Sequence, residues 1–330
     1  MTLTHPGRRA LAAFLIGGWL AWSAVAHDGP EQEIEALTEE INKFGETPGR
    51  LIERAIEYRV LGRWAEATRD LERARQLDPG SLHAQRELGR VLFQSGKTNE
   101  AIESVTRALA MKPEEPNDLA ALYALRAELL RSKRDYKKAL EDCAAALQLH
   151  QANPDWSLLR SDLQAKLKQT KARLTGIEEG MAATGAGILN IELVEALIAD
   201  QQFAAAGQRI EAELAESRVR SSWLIRRAQV ELGMKRVVAA TNDLHAALAE
   251  IAGRLNLRTP DAPLLLDKAV AHDLLGDQKE ALRFYELARD NGADEKALDR
   301  IKVLKEEIEA AAAAATKDEG KKETKPKSGG

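Results

Sequence analysis

The stretch "GRWAEATRDLERARQLDP", Gly62 to Pro79, poses the question that decides the fold. A charged helix carries small residues at Ala67 and Ala74, an apolar one between them at Leu71, and stops at Asp78-Pro79. The same set returns 34 residues later as Ala101, Val105, Ala108 and Pro113. After four additional residues, "PNDL", it returns as Ala139, Cys143 and Ala146. A small residue stands twelve positions before each leading alanine, at Ala55, Gly89 and Ala127, which marks a preceding helix. Two helices per 34 residues follow. Small residues recur where two backbones come close, and a larger side chain there costs about 1 to 3 kcal/mol.

This spacing resembles the tetratricopeptide repeat, whose pattern is W-x2-L-G-x2-Y…A-x3-F…P. In the first copy Leu51, Arg54, Ala55, Tyr58, Ala67, Leu71 and Pro79 occupy those places. In the second they are Gln85, Leu88, Gly89, Leu92, Ala101, Val105 and Pro113. Later copies keep the spacing with weaker residues: Arg173 with Ile177 and Gly180, Ala206 with Ile210, Ala240 with Leu244 and Ala247, and Ala281 with Tyr285 and Ala288. The resemblance implies an all-α, right-handed α-solenoid of about seven helix-turn-helix units, beginning near Pro48, Leu82, Ala120, Pro154, Gly187, Ser221 and Ala262, with a capping helix at each end.

Units one to three span 48–153 and units five to seven span 187–295. The segment 154–186 between them reads either as a degenerate unit or as one long helix, because Lys168 stands where a Gly-rich turn is usual. An N-terminal helix is expected within 27–47, from about Glu31 to Phe44. A capping helix is expected over 296–315, where Leu298, Ile301, Leu304 and Ile308 form an apolar stripe. The tail 316–330 has no apolar residue to bury and is expected to be disordered.

The chain has 330 residues, 44% hydrophobic and 30% charged, a composition that supports a packed core. Residues 1–26 read as a signal peptide. Arg8 and Arg9 precede the uncharged run Ala10–Trp22, and Ala24-Val25-Ala26 offers a cleavage site that would leave His27 first. Either the general secretory or the twin-arginine route accommodates it. A periplasmic or secreted protein is the expectation, with no membrane span in the mature chain. Removing two basic residues leaves 46 positive against 52 negative groups, a formal charge of −6, and nothing in that balance suggests nucleic acid. Cys143 is the only cysteine, so no intramolecular disulfide forms.

No phosphate-binding loop, His-Glu-x-x-His or Cys-x-x-Cys motif is present, and no cofactor, catalytic residue or metal site is expected. His83, His150, His245 and His272 fall in four separate units. Trp64, Tyr136 and Phe203, at the turns, read as packing residues. The resemblance implies that the first helix of each unit lines a concave groove for a protein or peptide. On this chain the groove positions are Ile52, Ile56 and Arg59; His83, Arg86, Arg90 and Phe93; and Leu125, Glu128 and Arg131. Four arginines among apolar residues suit a partner with acidic groups, or else they pair internally with Glu53, Glu87 and Glu128. The chaperone-type carboxylate clamp is absent, because its positions hold Ile52, Ile56, Glu87, Ala121 and Leu125. The reading is therefore a non-enzymatic interaction scaffold. The alternatives are copper binding or an enzymatic role through His27, and a self-associating structural protein.

Overall fold

The computed structural model describes residues 29–293 and 295–323; the signal-peptide stretch and His27 lie outside them. Among the described residues every element is a helix. After α1 (Pro30–Phe44) come seven antiparallel pairs: α2 (Pro48–Val60) with α3 (Trp64–Leu77), α4 (Leu82–Gln94) with α5 (Thr98–Ala110), α6 (Pro116–Ser132) with α7 (Tyr136–Leu149), and α8 (Pro154–Lys166) with α9 (Thr170–Thr184). Then follow α10 (Gly187–Ala199) with α11 (Phe203–Glu216), α12 (Ser221–Gly233) with α13 (Val237–Arg254), and α14 (Ala262–Leu275) with α15 (Gln278–Asp290). The helix α16 (Glu295–Glu323) packs on α15.

The alanines of the opening question are the points of closest approach. Ala55, Ala67, Ala74, Ala101, Ala108, Ala127, Ala139 and Ala146 are all 0% exposed, as are Ala206, Ala228, Ala240, Ala247, Ala269, Ala281 and Ala288. Leu71, Val105, Cys143, Ile177, Ile210, Leu244 and Tyr285, four residues beyond the leading position of each pair, are buried with them. The weak match at Arg173 is accommodated by chemistry. Its guanidinium extends to Ser161 Oγ at 2.9 Å and to Glu192 at 2.7 Å, while Gly180 lets α9 approach Ser157, whose side chain would overlap an added Cβ.

The segment 154–186 is a helix pair, not one long helix. Lys168 takes the left-handed conformation at φ 57°, which supplies the turn without a glycine. The same geometry closes every pair. Gly62, Gly96, Arg134, Lys168, Gln201, Lys235 and Gly276 all have φ between +57° and +83°. In each case the next residue donates its N–H to the carbonyl five positions back, as Arg63 does to Tyr58 at 2.8 Å and Gln169 to Gln164 at 2.9 Å. This Schellman closure satisfies carbonyls that the helix end would otherwise strand.

Three starts and stops depart from the reading of the sequence. The third pair begins at Pro116, not Ala120, because Pro at the first helical position and the four residues "PNDL" add a turn to α6 instead of a loop. The last helix continues past Ala315 to Glu323, so the segment expected to be disordered from 316 is helical that far, where lysine and glutamate, good helix formers, make up five of its eight residues and follow the alanine run that ends at Ala315. The chain also divides into two compact bodies after Pro113, inside the block 48–153. Lys112 is left-handed there, and Pro113 and Pro116 each remove a backbone donor.

Within both bodies a recurring bond ties the two helices of a pair. Arg54 and Asp70, Arg126 and Asp142, and Arg227 and Asp243 each form a two-pronged ion pair, with N–O distances of 2.6 to 2.9 Å. The three carboxylates are buried. The hydrogen bond to Asp70 is the main influence raising the Arg54 pKa, and Asp142 acts in the same way on Arg126. Where the pattern lacks this pair, other chemistry fills the same place. Arg160 donates to the Gly176 carbonyl, and Lys268 lies over the Phe284 ring at 4.2 Å.

Candidate functional site

In the N-terminal body, α2 and α4 touch directly and are the first helices of their pairs. Three arginines from these helices gather around one carboxylate. Glu87 sits on α4 with its side chain only 3% exposed, and Arg90 Nη1 donates to it at 2.8 Å. Arg59 Nε approaches from α2 at 3.6 Å, and Arg86 Nε from α4 at 3.7 Å. The arginine side chains keep part of their surface in solvent, from 22% exposed at Arg59 to 43% at Arg90, although the Nε atoms of Arg59 and Arg86 are buried. A buried carboxylate is stable only when paired, so Glu87 orients the arginines as much as they neutralise it.

The remaining expected groove positions in this body divide between surface and core. His83 is exposed, Ile56 and Phe93 are half-buried, and Ile52 is packed into the core at 4% exposure. Ile52 therefore contributes to helix packing and offers no contact surface. Of the internal partners considered from sequence, Glu87 does engage the arginines.

In the C-terminal body the first helices α6, α8, α10, α12 and α14 touch in succession. Arg131 and Glu128 are exposed on α6, and Leu125 is buried. Arg131 reaches the next first helix and donates to Asp162 at 3.2 Å. Further along, Arg226 of α12 donates to Glu195 of α10 at 2.7 Å. Carboxylates recur along this run of first helices, with Asp162 on α8, Glu192 and Glu195 on α10 and Asp267 on α14. Sequence reading had singled out none of these four. Their signal was present in the spacing, since each occupies a first-helix position equivalent to one named in the earlier units.

Among the described residues no cluster of three or more histidines, cysteines or carboxylates is placed to hold a metal ion. His83, His150 and His245 are exposed, while His272 is half-buried, stacked on Phe284 and 3.3 Å from Asp277. Cys143 is buried, donates its thiol to the Trp156 carbonyl at 3.3 Å, and has its pKa pushed up to about 12 by burial, so it is not a thiolate nucleophile. Tyr136 and Phe203 pack against the core, and Trp64 lies beside Gly62. No described helix is long and apolar enough to cross a membrane.

Comparison with known proteins agrees with this geometry. The tetratricopeptide repeat family profile matches residues 61–129. No curated protein matches in sequence. A tetratricopeptide repeat protein from Parabacteroides merdae is similar in structure, with a TM-score of 0.57 at 16% identity, over 83% of this chain and 98% of that one. Yeast Tom70 is similar with a TM-score of 0.52 at 17% identity, over 85% of this chain and 59% of its own. The Cut9–Hcn1 hetero-tetramer of the APC/C gives 0.50 at 16% identity, over 75% of this chain and 46% of that one. At these identities the likeness establishes the fold alone.

Proposed function

Because the chain carries tetratricopeptide repeats, we infer that it is a non-enzymatic interaction scaffold of the bacterial cell envelope, holding a peptide or protein partner on its first-helix faces. The observation that carries this reading is the arginine set Arg59, Arg86 and Arg90 around Glu87. Each guanidinium has five N–H donors in a rigid fork, and one carboxylate engages only a fraction of them. Acidic side chains of an extended partner fit such a surface, with the half-buried Ile56 and Phe93 giving apolar contact. Export follows from the basic, apolar and small-residue order of residues 1–26, and amino-terminal sequencing of the exported protein is expected to begin at His27.

The test is affinity capture from the native envelope with the mature protein beside Arg86→Glu/Arg90→Glu. A partner held by the first and released by the second supports the reading. Equal retention by both would move the binding surface away from Glu87 and its arginines, and no retained protein would remove the scaffold role.

A further inference from the structure

In the C-terminal body the third and fourth pairs meet through α7 and α8, and their first helices α6 and α8 also touch. Each first helix runs antiparallel to its second, so α6 and α8 point the same way and their turns stand side by side on one edge. Residues 132–139 and 165–172, which make these turns, hold seven cationic side chains against one carboxylate, in a chain whose net charge is −4. The first turn contributes Lys133, Arg134, Lys137 and Lys138, and the second Lys166, Lys168 and Lys171, all exposed. Lys138 pairs with Asp135 at 3.1 Å, and among the described residues no ion pair engages the other six.

Three features of these turns weaken the free protein. Six unpaired cations lie close together and repel one another. Arg134 and Lys168 take the left-handed conformation, at φ 62° and 57°, in the position that Gly62, Gly96 and Gly276 fill in other pairs. Lys137, Lys138 and Lys171 stand in the opening turns of α7 and α9, where the helix dipole disfavours positive charge and favours carboxylates. Neither helix has an acidic residue in its first turn, whereas α3, α5 and α15 hold Glu66, Glu100 and Glu280 there. Concentrated on one edge, features that each lower stability mark a surface kept for a ligand.

We propose that this edge is a docking surface for an anionic lipid bilayer, which the protein meets without crossing it. The cations sit at and beside the turn tips, so a flat surface reaches them together, where a peptide would need a groove. Six of the seven are lysines, flexible point charges suited to a spread of phosphate groups and not to a planar, two-pronged fit. Tyr136, the one aromatic residue of the two turns, packs against the core and offers no platform for stacking nucleic-acid bases. The choice of a bilayer rests on the envelope location proposed above, whereas the charge pattern stands without it.

The test is cosedimentation of the mature protein with vesicles of phosphatidylcholine, alone or with about one third phosphatidylglycerol, at about 0.1 M salt, where charges act over about 10 Å. Binding is expected to the mixed vesicles only, and to be lost at about 1 M salt, where that range falls to about 3 Å. Lys137→Glu/Lys171→Glu is expected to weaken it by at least about 25-fold, because each basic residue at an anionic membrane surface contributes about fivefold. The same variant is expected to melt at or above the temperature of the unaltered protein, since its carboxylates suit the helix starts. Arg86→Glu/Arg90→Glu alters the net charge equally and is expected to leave vesicle binding unchanged, which separates this surface from the arginines around Glu87.

Equal binding to neutral and mixed vesicles would overturn the proposal, and so would binding to neither, which would leave the edge to an acidic polypeptide. Undiminished binding by Lys137→Glu/Lys171→Glu would count against it in the same way, and equal losses from both double variants would reduce the effect to net charge. A lowered melting temperature of Lys137→Glu/Lys171→Glu would show that the lysines serve the fold instead. Amino-terminal sequencing tests export by itself, so failure of the vesicle experiment and failure of the envelope reading are distinguishable.

Discussion

Replacing Gly96 by alanine isolates the energetics of the turns that close the helix pairs. Gly96 has φ 82°, and an added Cβ would meet nothing within 4 Å, so the substitution changes backbone preference and no contact. Holding an L-residue in the left-handed region costs about 1 to 2 kcal/mol. Against this, alanine loses less backbone entropy on folding than glycine, a gain of about 0.4 to 1 kcal/mol. The net expectation is a loss of roughly 1 kcal/mol for Gly96→Ala. Lys168→Gly, at φ 57°, is the mirror experiment and is expected to stabilise by a similar amount. Arg134, Gln201 and Lys235 share that geometry, and because the four sites lie in separate pairs their effects should add. Urea denaturation followed by circular dichroism gives the free energies, and hydrogen exchange at the Lys97 amide, bonded to the Leu92 carbonyl at 2.8 Å, reads the turn itself. A neutral Gly96→Ala, or a destabilising Lys168→Gly, would refute the reasoning, since it would mean that packing and not backbone conformation sets the turn.

Three more predictions concern packing and charge. Ala101→Leu is expected to lower stability by about 1 to 3 kcal/mol while the exposed Lys97→Leu has little effect, and equal melting temperatures would sink the register. Gly233→Ala places a methyl group within the Phe203 ring and is expected to destabilise, with Phe203→Leu partly restoring the doubly substituted protein; absence of any coupling would exclude that contact. Asp267→Asn is expected to stabilise the protein by about 1 to 3 kcal/mol at pH 7. A folded-state pKa raised to about 6 makes ionisation oppose folding. The unaltered protein should therefore recover stability relative to Asp267→Asn as the pH falls from 7 through 6 toward 4. A gap that stays constant over that range would show that Asp267 ionises in the folded protein as readily as in the unfolded chain.

The helix pairs were legible because two signals coincide, the spacing of small residues and the proline after the second helix. Six of the seven pairs begin at the residue the spacing indicated, and Pro116 differs because inserted residues can lengthen a helix as readily as a loop. The turn at Lys168 was hard to read because glycine favours the left-handed conformation without being required for it, so a lysine there leaves only the register as a clue. The Arg54–Asp70 type of pair escaped notice for a different reason. Its partners stand sixteen residues apart across a turn, outside any single-helix period, and each alone looks like a member of a solvated face. The arginines around Glu87 were identified, yet Ile52 was placed on the surface with them, because position within a repeat does not say how far a neighbouring helix covers it. The position of Asp267 was marked by the spacing, but its surroundings were not. The ion pairs near it, Arg226 with Glu195 and Arg254 with Glu250, join side chains that no repeat spacing links.

The seven closures also say where this chain can change length. From Gly62 to Ala67, Gly96 to Ala101, Lys168 to Arg173 and Gly276 to Ala281 the count from turn residue to second-helix position never varies, whereas every departure from the regular repeat falls at a junction between pairs: at Pro116–Leu119, near Gly185 and across Leu255–Asp261. Insertions and deletions in the lineage of this protein should therefore collect at those junctions, where the next pair can still dock. A single residue gained between Gly62 and Ala67 would rotate α3 by about 100° relative to its partner and turn its alanines to solvent.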